Sequence, residues 1–348
     1  MQKNIKHNIK LALSYDDVLL TPQYSEIKSR SEVDLTTRLT PHIKLKLPIL
    51  SSNMSSITDD GFAIALAKLG GLGVIPRFRS IEEEADIVQK VKAQGFLVAA
   101  SVGVKEQTME RAKAAVKAGT DILVIDVAHG HMLQVIEATK KLKQSFGKKV
   151  DIIAGNVATS NGASYLFKAG ADCVKVGIGP GSTCITRIET GCGVPQISAV
   201  LECSRAAKEN KGTLICDGGM KNSGDIVKGL AAGASAIMTG HIFAGIKETA
   251  GKVITKNGKK FKEYNGSTSY IEKSRRIGKK VEHIEGVASF VPYKGELMPL
   301  IIEISDNIKS GFSYVGARNI TELWERAAFV QISSMGLRES GAHDVDIY

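Results

Sequence analysis

Residues 121–179 read DILVIDVAHGHMLQVIEATKKLKQSFGKKVDIIAGNVATSNGASYLFKAGADCVKVGIG, and the reading of this stretch decides the fold. Three apolar runs (ILVID, VDIIAG, CVKV) are separated by two segments with helical spacing, the second of which closes on Ala-Gly. Runs that are apolar throughout belong to strands buried on both faces, as in a parallel sheet covered by helices. Ala-Gly then suits the left-handed turn that stops a helix before the next strand.

The same unit recurs outward in both directions. PILSSNM, GLGVIPR and LVAASVGV precede it, LICDGG and AIMTGHIFAG follow it, and the total is eight strands. Helical patterns lie between them, among them IEEEADIVQKVKAQ, MERAKAAVKAG, AVLECSRAAKEN and DIVKGLAAGA. Eight such repeats predict an α/β fold of the (β/α)8 or TIM-barrel kind, with an open doubly wound sheet as the alternative. Residues 246–295 interrupt the pattern after strand eight, and the alternation in KVITKNGKKFKEY predicts a hairpin followed by a mobile segment, a flap. Residues 1–348 are read as one catalytic domain without a regulatory insert.

Composition narrows the class. The hydrophobic share is 43% and the charged share 24%, ordinary for a globular enzyme, and neither a signal peptide nor a membrane span is legible, so a cytoplasmic location is expected. Five cysteines without a CxxC pair fit a reduced compartment rather than a disulfide framework or a zinc site. The net charge of +10 would suit nucleic acid. Most lysines (Lys90, Lys92, Lys113, Lys117, Lys140, Lys141, Lys143) nevertheless read as solvated helix faces, and no nucleic-acid or membrane partner is expected. A non-catalytic nucleotide- or RNA-binding barrel is the rival from another class.

Barrels carry their chemistry at the C-terminal ends of the strands, and there this chain places SSNM, DVAHGH, GNVATS, GIGPGSTC, DGG and TGH. Gly179, Gly181, Gly218, Gly219 and Gly240 leave backbone N–H groups open to a phosphate, or simply permit tight turns. Asp217, in an apolar strand, needs hydrogen bonds from a ligand or from loop amides. Cys184 stands in a glycine-rich loop where a substrate can reach a thiol, with Thr186 two residues on. Cys173, Cys203 and Cys216 read as buried, and Cys192 stays open. His129 and His131 lack a third ligand for a metal.

From about Leu13 to Val345 the chain resembles the IMP dehydrogenase/GMP reductase barrels, on SYDDVLL, AGNVAT, GIGPGSTCITR, DGGMKNSGD, YNGSTS, EGVASFVPYKG and SYVGAR. The resemblance implies that Cys184 attacks C2 of a purine nucleotide, that Thr186 and Glu285 carry protons, and that a nicotinamide cofactor exchanges hydride with that carbon. It implies nucleotide contacts from Ser52, Met54, Asn156, Gly181, Ser182, Asp217, Gly218, Gly219, Gly240, His241, Tyr264, Ser267 and Gly286. It implies NADPH contacts from Asp126, Val127, Ala128 and Arg77, and from Arg275 and Arg276 within KSRRIGKK, a cluster that otherwise reads as a solvated loop. A K+ ion at Gly179, Gly181 and Cys184 and a homotetramer are further implications. Absence of an Arg-Tyr pair, the short flap, SSNM at strand one and the missing regulatory modules lean toward GMP reductase, with GMP and IMP as substrate and product. The ending RESGAHDV and His241 after Gly240 depart from that pattern, and an IMP dehydrogenase lacking its regulatory domain is the alternative.

Overall fold

The structure is a computed structural model that describes residues 9–277 and 283–342, with the side chains of residues 275–277 outside the description. The barrel strands are one (Ile49–Ser51), two (Gly73–Ile75), three (Val98–Val102), four (Ile122–Asp126), five (Asp151–Val157), six (Cys173–Val176), seven (Thr213–Asp217) and eight (Ala236–Thr239). They pair in parallel in that order, strand eight returns to strand one at Ile237 and Ile49, and strand one meets strand two through Leu50 and Leu72. The expected (β/α)8 barrel is therefore closed. Strand eight stops at Thr239, where the chain turns and Ala244 N–H donates to the Gly240 carbonyl at 2.8 Å.

Side-chain parity explains why these runs looked uniformly apolar. Leu50, Val74, Ala99, Ile122, Val124, Ile153, Cys173, Ile215 and Met238 fill the barrel interior, while Leu123, Ile125, Ile152, Val174, Leu214 and Ile237 pack outward against the helices. The two faces bury apolar groups at alternate positions, so no polar alternation remains. A short hairpin (Thr37–Arg38 with Lys44–Leu45) plugs the N-terminal end of the barrel with Leu39, Ile43 and Leu45. Each of these buried side chains contributes roughly 1.5–3 kcal/mol by leaving water.

The predicted helices form at Ile81–Ala93, Thr108–Lys117, Leu133–Phe146, Ser160–Lys168, Gln196–Glu209 and Ser223–Ala231. Gly119, Gly170 and Gly233, which follow Ala at three of their ends, all have positive φ. The helix after strand one (Asp60–Lys68), capped by Asp59, was not legible as a separate amphipathic pattern. The eighth helix position is taken by Leu297–Val315, beyond the insertion, which packs against Ser223–Ala231.

Two lysines read as solvated are anchors instead. Lys92 pairs with Asp121 at 2.9 Å and Lys143 with Asp172 at 2.7 Å. In each case the carboxylate also accepts a strand N–H, from Val98 and Ile152 respectively, so helix, loop and strand are locked by one repeated device. Half-burial and the added backbone bond lift these pairs above ordinary surface ion pairs.

The insertion carries more secondary structure than the expected hairpin, and residues 278–282, within the segment expected to be mobile, lie outside the described residues. Val253–Lys256 and Lys259–Asn265 form the hairpin, the helix Tyr270–Ile277 follows, and Ala288–Pro292 returns as a third antiparallel strand. That third strand carries the residues just before it back over the barrel mouth. Among the described residues no helix is long and apolar enough to cross a membrane.

Candidate active site

The interior parity that fills the barrel with aliphatic groups continues upward into polar ones. One step above Leu50 stands Ser52, above Val124 stands Asp126, above Cys173 stands Lys175, above Ile215 stands Asp217, and above Met238 stands Gly240. All five line a single cleft at the C-terminal mouth of the barrel. Strand register alone thus puts polar residues at the mouth where the chemistry is expected.

At the floor of the cleft lies a cation that sequence reading passed over. Lys175, 2% exposed, donates to Asp217 Oδ2 at 2.7 Å and to Asn156 Oδ1, and stands 3.6 Å from Asp126 Oδ1. Asn156 Nδ2 also donates to Asp217 Oδ2 at 2.9 Å. The expected need of Asp217 for a ligand or loop amides is met internally by Lys175 and Asn156. Burial penalises the ammonium, yet the two carboxylates outweigh it and hold the Lys175 pKa above its ordinary value. The hydrogen bonds from Lys175 and Asn156 both fall on the same carboxylate oxygen of Asp217. A lysine inside CVKVGIG was hard to single out because a strand residue can as readily snorkel outward; only its parity with Cys173 marked it as internal.

Across the cleft, the loop after strand six carries the thiol. Cys184 Sγ donates to Thr186 Oγ1 at 3.1 Å, and Thr186 Oγ1 donates to Glu285 Oε2 at 2.7 Å. Glu285 arrives from the insertion, ninety-nine residues from Thr186 in sequence, and is placed by main-chain bonds. Ile185 N–H donates to the Glu285 carbonyl at 3.0 Å, Val287 N–H to Thr183 O at 2.9 Å, and Cys184 bridges Gly286. The loop is braced beneath by Arg187, whose Nε and Nη2 donate to the carbonyls of Ile178 and Val194. A thiol, a hydroxyl and a carboxylate in hydrogen-bonded series form a route for one proton.

The remaining cysteines separate cleanly. Burial pushes the thiols of Cys173 and Cys203 up to about 12 and that of Cys216 up to about 11, whereas Cys184 is half-exposed in the cleft and Cys192 is exposed outside it. Cys216 is further held by Tyr15, whose hydroxyl lies 3.0 Å from its sulfur.

One end of the cleft is built from glycine backbone. Gly218 and Gly219 take φ of 89° and 86°, a conformation L side chains rarely adopt, and lie against Pro180 and Gly181. A Cβ on Gly240 would stand 2.5 Å from Ser52 Oγ, so any larger residue there would push the Ser52 hydroxyl aside. Ser182 Oγ and Tyr264 Oη meet at 3.1 Å, and burial holds the phenol above its ordinary pKa. Ser52 Oγ and His241 Nδ1 are buried polar atoms with no hydrogen-bond partner among the described residues.

The other end runs past Met54 to Arg77, Phe78, Val127 and Ala128. Arg77 stacks on Phe78 at 4.2 Å, donates to the Asp126 carbonyl at 3.2 Å and faces its carboxylate at 3.9 Å. Ser267 and Gly286 line the same cleft. The structure therefore brings together Cys184, Thr186, Glu285, all the expected nucleotide residues, and Arg77, Asp126, Val127 and Ala128. Arg275 and Arg276 lie in the helix Tyr270–Ile277, but their side chains fall outside the described residues, as do Lys279, Lys280 and the end of RESGAHDV from His343. Gly179 and Gly181 belong to the Cys184 loop, with Gly181 O accepting Cys184 N–H at 3.0 Å. Among the described residues no three His, Cys, Asp or Glu side chains group as metal ligands.

A sequence model of the IMP dehydrogenase / GMP reductase domain matches residues 12–343. Inosine-5'-monophosphate dehydrogenase of Aquifex aeolicus is 36% identical over 479 aligned positions, covering 99% of this chain and 97% of that protein. GMP reductase of Leishmania major is 34% identical over 476 positions, at 96% and 97% coverage. Inosine-5'-monophosphate dehydrogenase of Borreliella burgdorferi is 38% identical over 397 positions, at 97% and 98%. The crystal structure of a cysteine-to-alanine variant of GMP reductase from Trypanosoma brucei, in complex with guanosine 5'-monophosphate, superposes with a TM-score of 0.93 at 31% identity, covering 99% of this chain and all of that one. An alignment of 476 positions leaves at least 476 − 348 = 128 without a residue of this chain, against 397 − 348 = 49 for the Borreliella protein. Extra length thus occurs in a relative named reductase and is largely lacking in one named dehydrogenase, so length alone does not discriminate between the two activities.

Proposed function

Because the chain belongs to the IMP dehydrogenase / GMP reductase family, we propose that it is a GMP reductase, converting GMP to IMP and ammonia at the expense of NADPH. The observation that carries the reading is the hydrogen-bonded series Cys184, Thr186, Glu285 in a chain whose sequence contains no Arg-Tyr dipeptide on the flap or elsewhere.

With GMP bound, the proton of the Cys184 thiol passes through Thr186 to Glu285, and the sulfur adds to C2 of the purine. The same relay returns that proton to the 2-amino group, which leaves as ammonia while the C2–S bond remains. NADPH, when bound, supplies the hydride that takes the place of sulfur at C2, giving IMP and freeing the thiolate. Asp126 and Arg77 continue the cleft with an acceptor and a donor group, and this donor set fits a nicotinamide ribose and its diphosphate. Asp217, Asn156 and Ser52 would hold the substrate sugar, and Gly181, Ser182, Gly218, Gly219, Gly240, His241 and Tyr264 its phosphate, with Ser267 and Gly286 beside the purine. We place the 2'-phosphate of NADPH at Arg275 and Arg276, K+ on the Gly179, Gly181 and Cys184 carbonyls, and four copies in the assembly, on the family resemblance alone.

A second reading, IMP dehydrogenase, is favoured by the 36% and 38% identities to proteins of that name. Purified protein given each nucleotide with each cofactor separates the two. Loss of NADPH absorbance with GMP, matched by ammonia, supports the reductase; NADH formation from IMP and NAD reverses the assignment.

A further inference from the structure

Where the barrel passes from strand eight into its turn, the side chain of His241 enters the glycine end of the cleft. Its Nδ1 is buried without a partner among the described residues, its ring lies 6.2 Å from that of Tyr264, and Ser52, 7% exposed with a hydroxyl equally unpartnered among them, lines the same cleft. Two lysines from other elements act on it. Lys294, after the third flap strand, reaches the His241 carbonyl at 3.4 Å, and Lys221, after strand seven, is paired with Asp16 at 2.5 Å. The neutral phenol of Tyr264 packs alongside.

Lys294 and the Asp16-paired Lys221 both place positive charge near the imidazole, from outside the cleft that it lines. Burial, Lys294 and Lys221, in that order, hold the His241 imidazole below its ordinary pKa, and burial lowers Lys294 as well. Without an anion beside it the imidazole therefore favours its neutral form. A phosphate dianion placed against it reverses the sign of the local field and favours the imidazolium, whose second N–H makes a charge-assisted hydrogen bond.

We propose that His241 takes up a proton as the nucleotide binds and clasps its 5'-phosphate as an imidazolium, so that recognition of the monophosphate is proton-linked in this chain. The inference rests on the nucleotide reading above but not on the direction of the reaction, because GMP and IMP share the phosphate.

The test is calorimetry of IMP binding near pH 7.5 in two buffers of different ionisation heat, neither of them phosphate. At that pH the nucleotide phosphate, with a second pKa of about 6, is already a dianion and contributes little. The wild type should take up about 0.5–1 proton per nucleotide, with affinity falling up to about tenfold per pH unit above neutrality until the bound imidazolium itself titrates. His241→Asn should take up none, bind IMP about tenfold or more weakly near pH 7, and converge on the wild type near pH 9. A merely structural role would weaken binding by the same factor at every pH. Nuclear magnetic resonance of the labelled imidazole should show its titration moving upward on adding IMP. Binding of IMP without proton uptake, or with the same uptake in His241→Asn, overturns the inference alone; no binding of IMP or GMP overturns the nucleotide reading and this inference with it.

Discussion

Lys175→Met removes the charge of a side chain that is almost wholly enclosed while keeping most of its unbranched length. In the native chain that ammonium bonds Asp217 at 2.7 Å and stands 3.6 Å from Asp126, with carboxylate exposures of only 17% and 19%. Taking one partner from a buried ionic group leaves uncompensated charge, at a cost of about 3–5 kcal/mol. An unfolding entropy of about 2.1 cal/mol/K per residue over 348 residues is roughly 0.7 kcal/mol/K, so that cost corresponds to a fall in Tm of about 4–7 °C. The sign with pH follows from the raised lysine pKa: its stabilisation is fully present below the unfolded value of about 10.4 and is lost only above it, so the whole effect shows at pH 7. The deficit should shrink in acid as the stranded carboxylates take up protons. Function should suffer with stability, because Asp217 would no longer be oriented: KM for the nucleotide should rise about tenfold or more, and Lys175→Arg should recover part of both. Calorimetric scans at about pH 7 and pH 5 with steady-state kinetics check this. A variant within 1 °C of the wild type at both pH values, with unchanged KM, would refute the argued role of the buried cation.

Other expectations follow from the same geometry. Glu285→Gln breaks the proton series without changing shape, and single-turnover ammonia release should slow about 10²–10⁴-fold while nucleotide affinity stays within a few fold. Iodoacetamide near pH 8 should modify Cys184 and Cys192 and spare Cys173, Cys203 and Cys216, whose thiols burial keeps protonated, and saturating GMP should protect Cys184 selectively; peptide mapping reads the outcome. Burial pushes the Glu84 carboxyl up to about 7 despite Arg111 at 2.5 Å. The folded chain then binds that proton more tightly than the unfolded one, so stability should fall as pH rises from about 4.5 to 7, and Glu84→Gln should flatten this slope in thermal scans.

The barrel was legible because its period survives without tertiary knowledge: a doubly buried strand, a helix and a glycine stop repeat until the eighth strand. The thiol was legible for a similar local reason, since Cys184 sits among residues too small and polar to bury it. What remained hidden depends on contacts between distant parts. Lys175 looks like any strand lysine until parity places it between Asp126 and Asp217, and Lys92 and Lys143 look solvated until Asp121 and Asp172 turn back toward them. Glu285 gave no local signal, and only the family resemblance pointed to it; its place beside Thr186 is set by backbone pairing between the insertion and the Cys184 loop. The third strand of the insertion was missed because Ala288–Pro292 becomes a strand only by pairing with Lys259–Asn265.

The claim on which all this stands is a bond between sulfur and a purine carbon. Acid-quenched protein turning over GMP with NADPH, digested and weighed by mass spectrometry, should carry a nucleotide-sized adduct on the Cys184 peptide alone, absent from inactive Cys184→Ala. Turnover by Cys184→Ala, or a fully active enzyme whose adduct maps to a different residue, would contradict it.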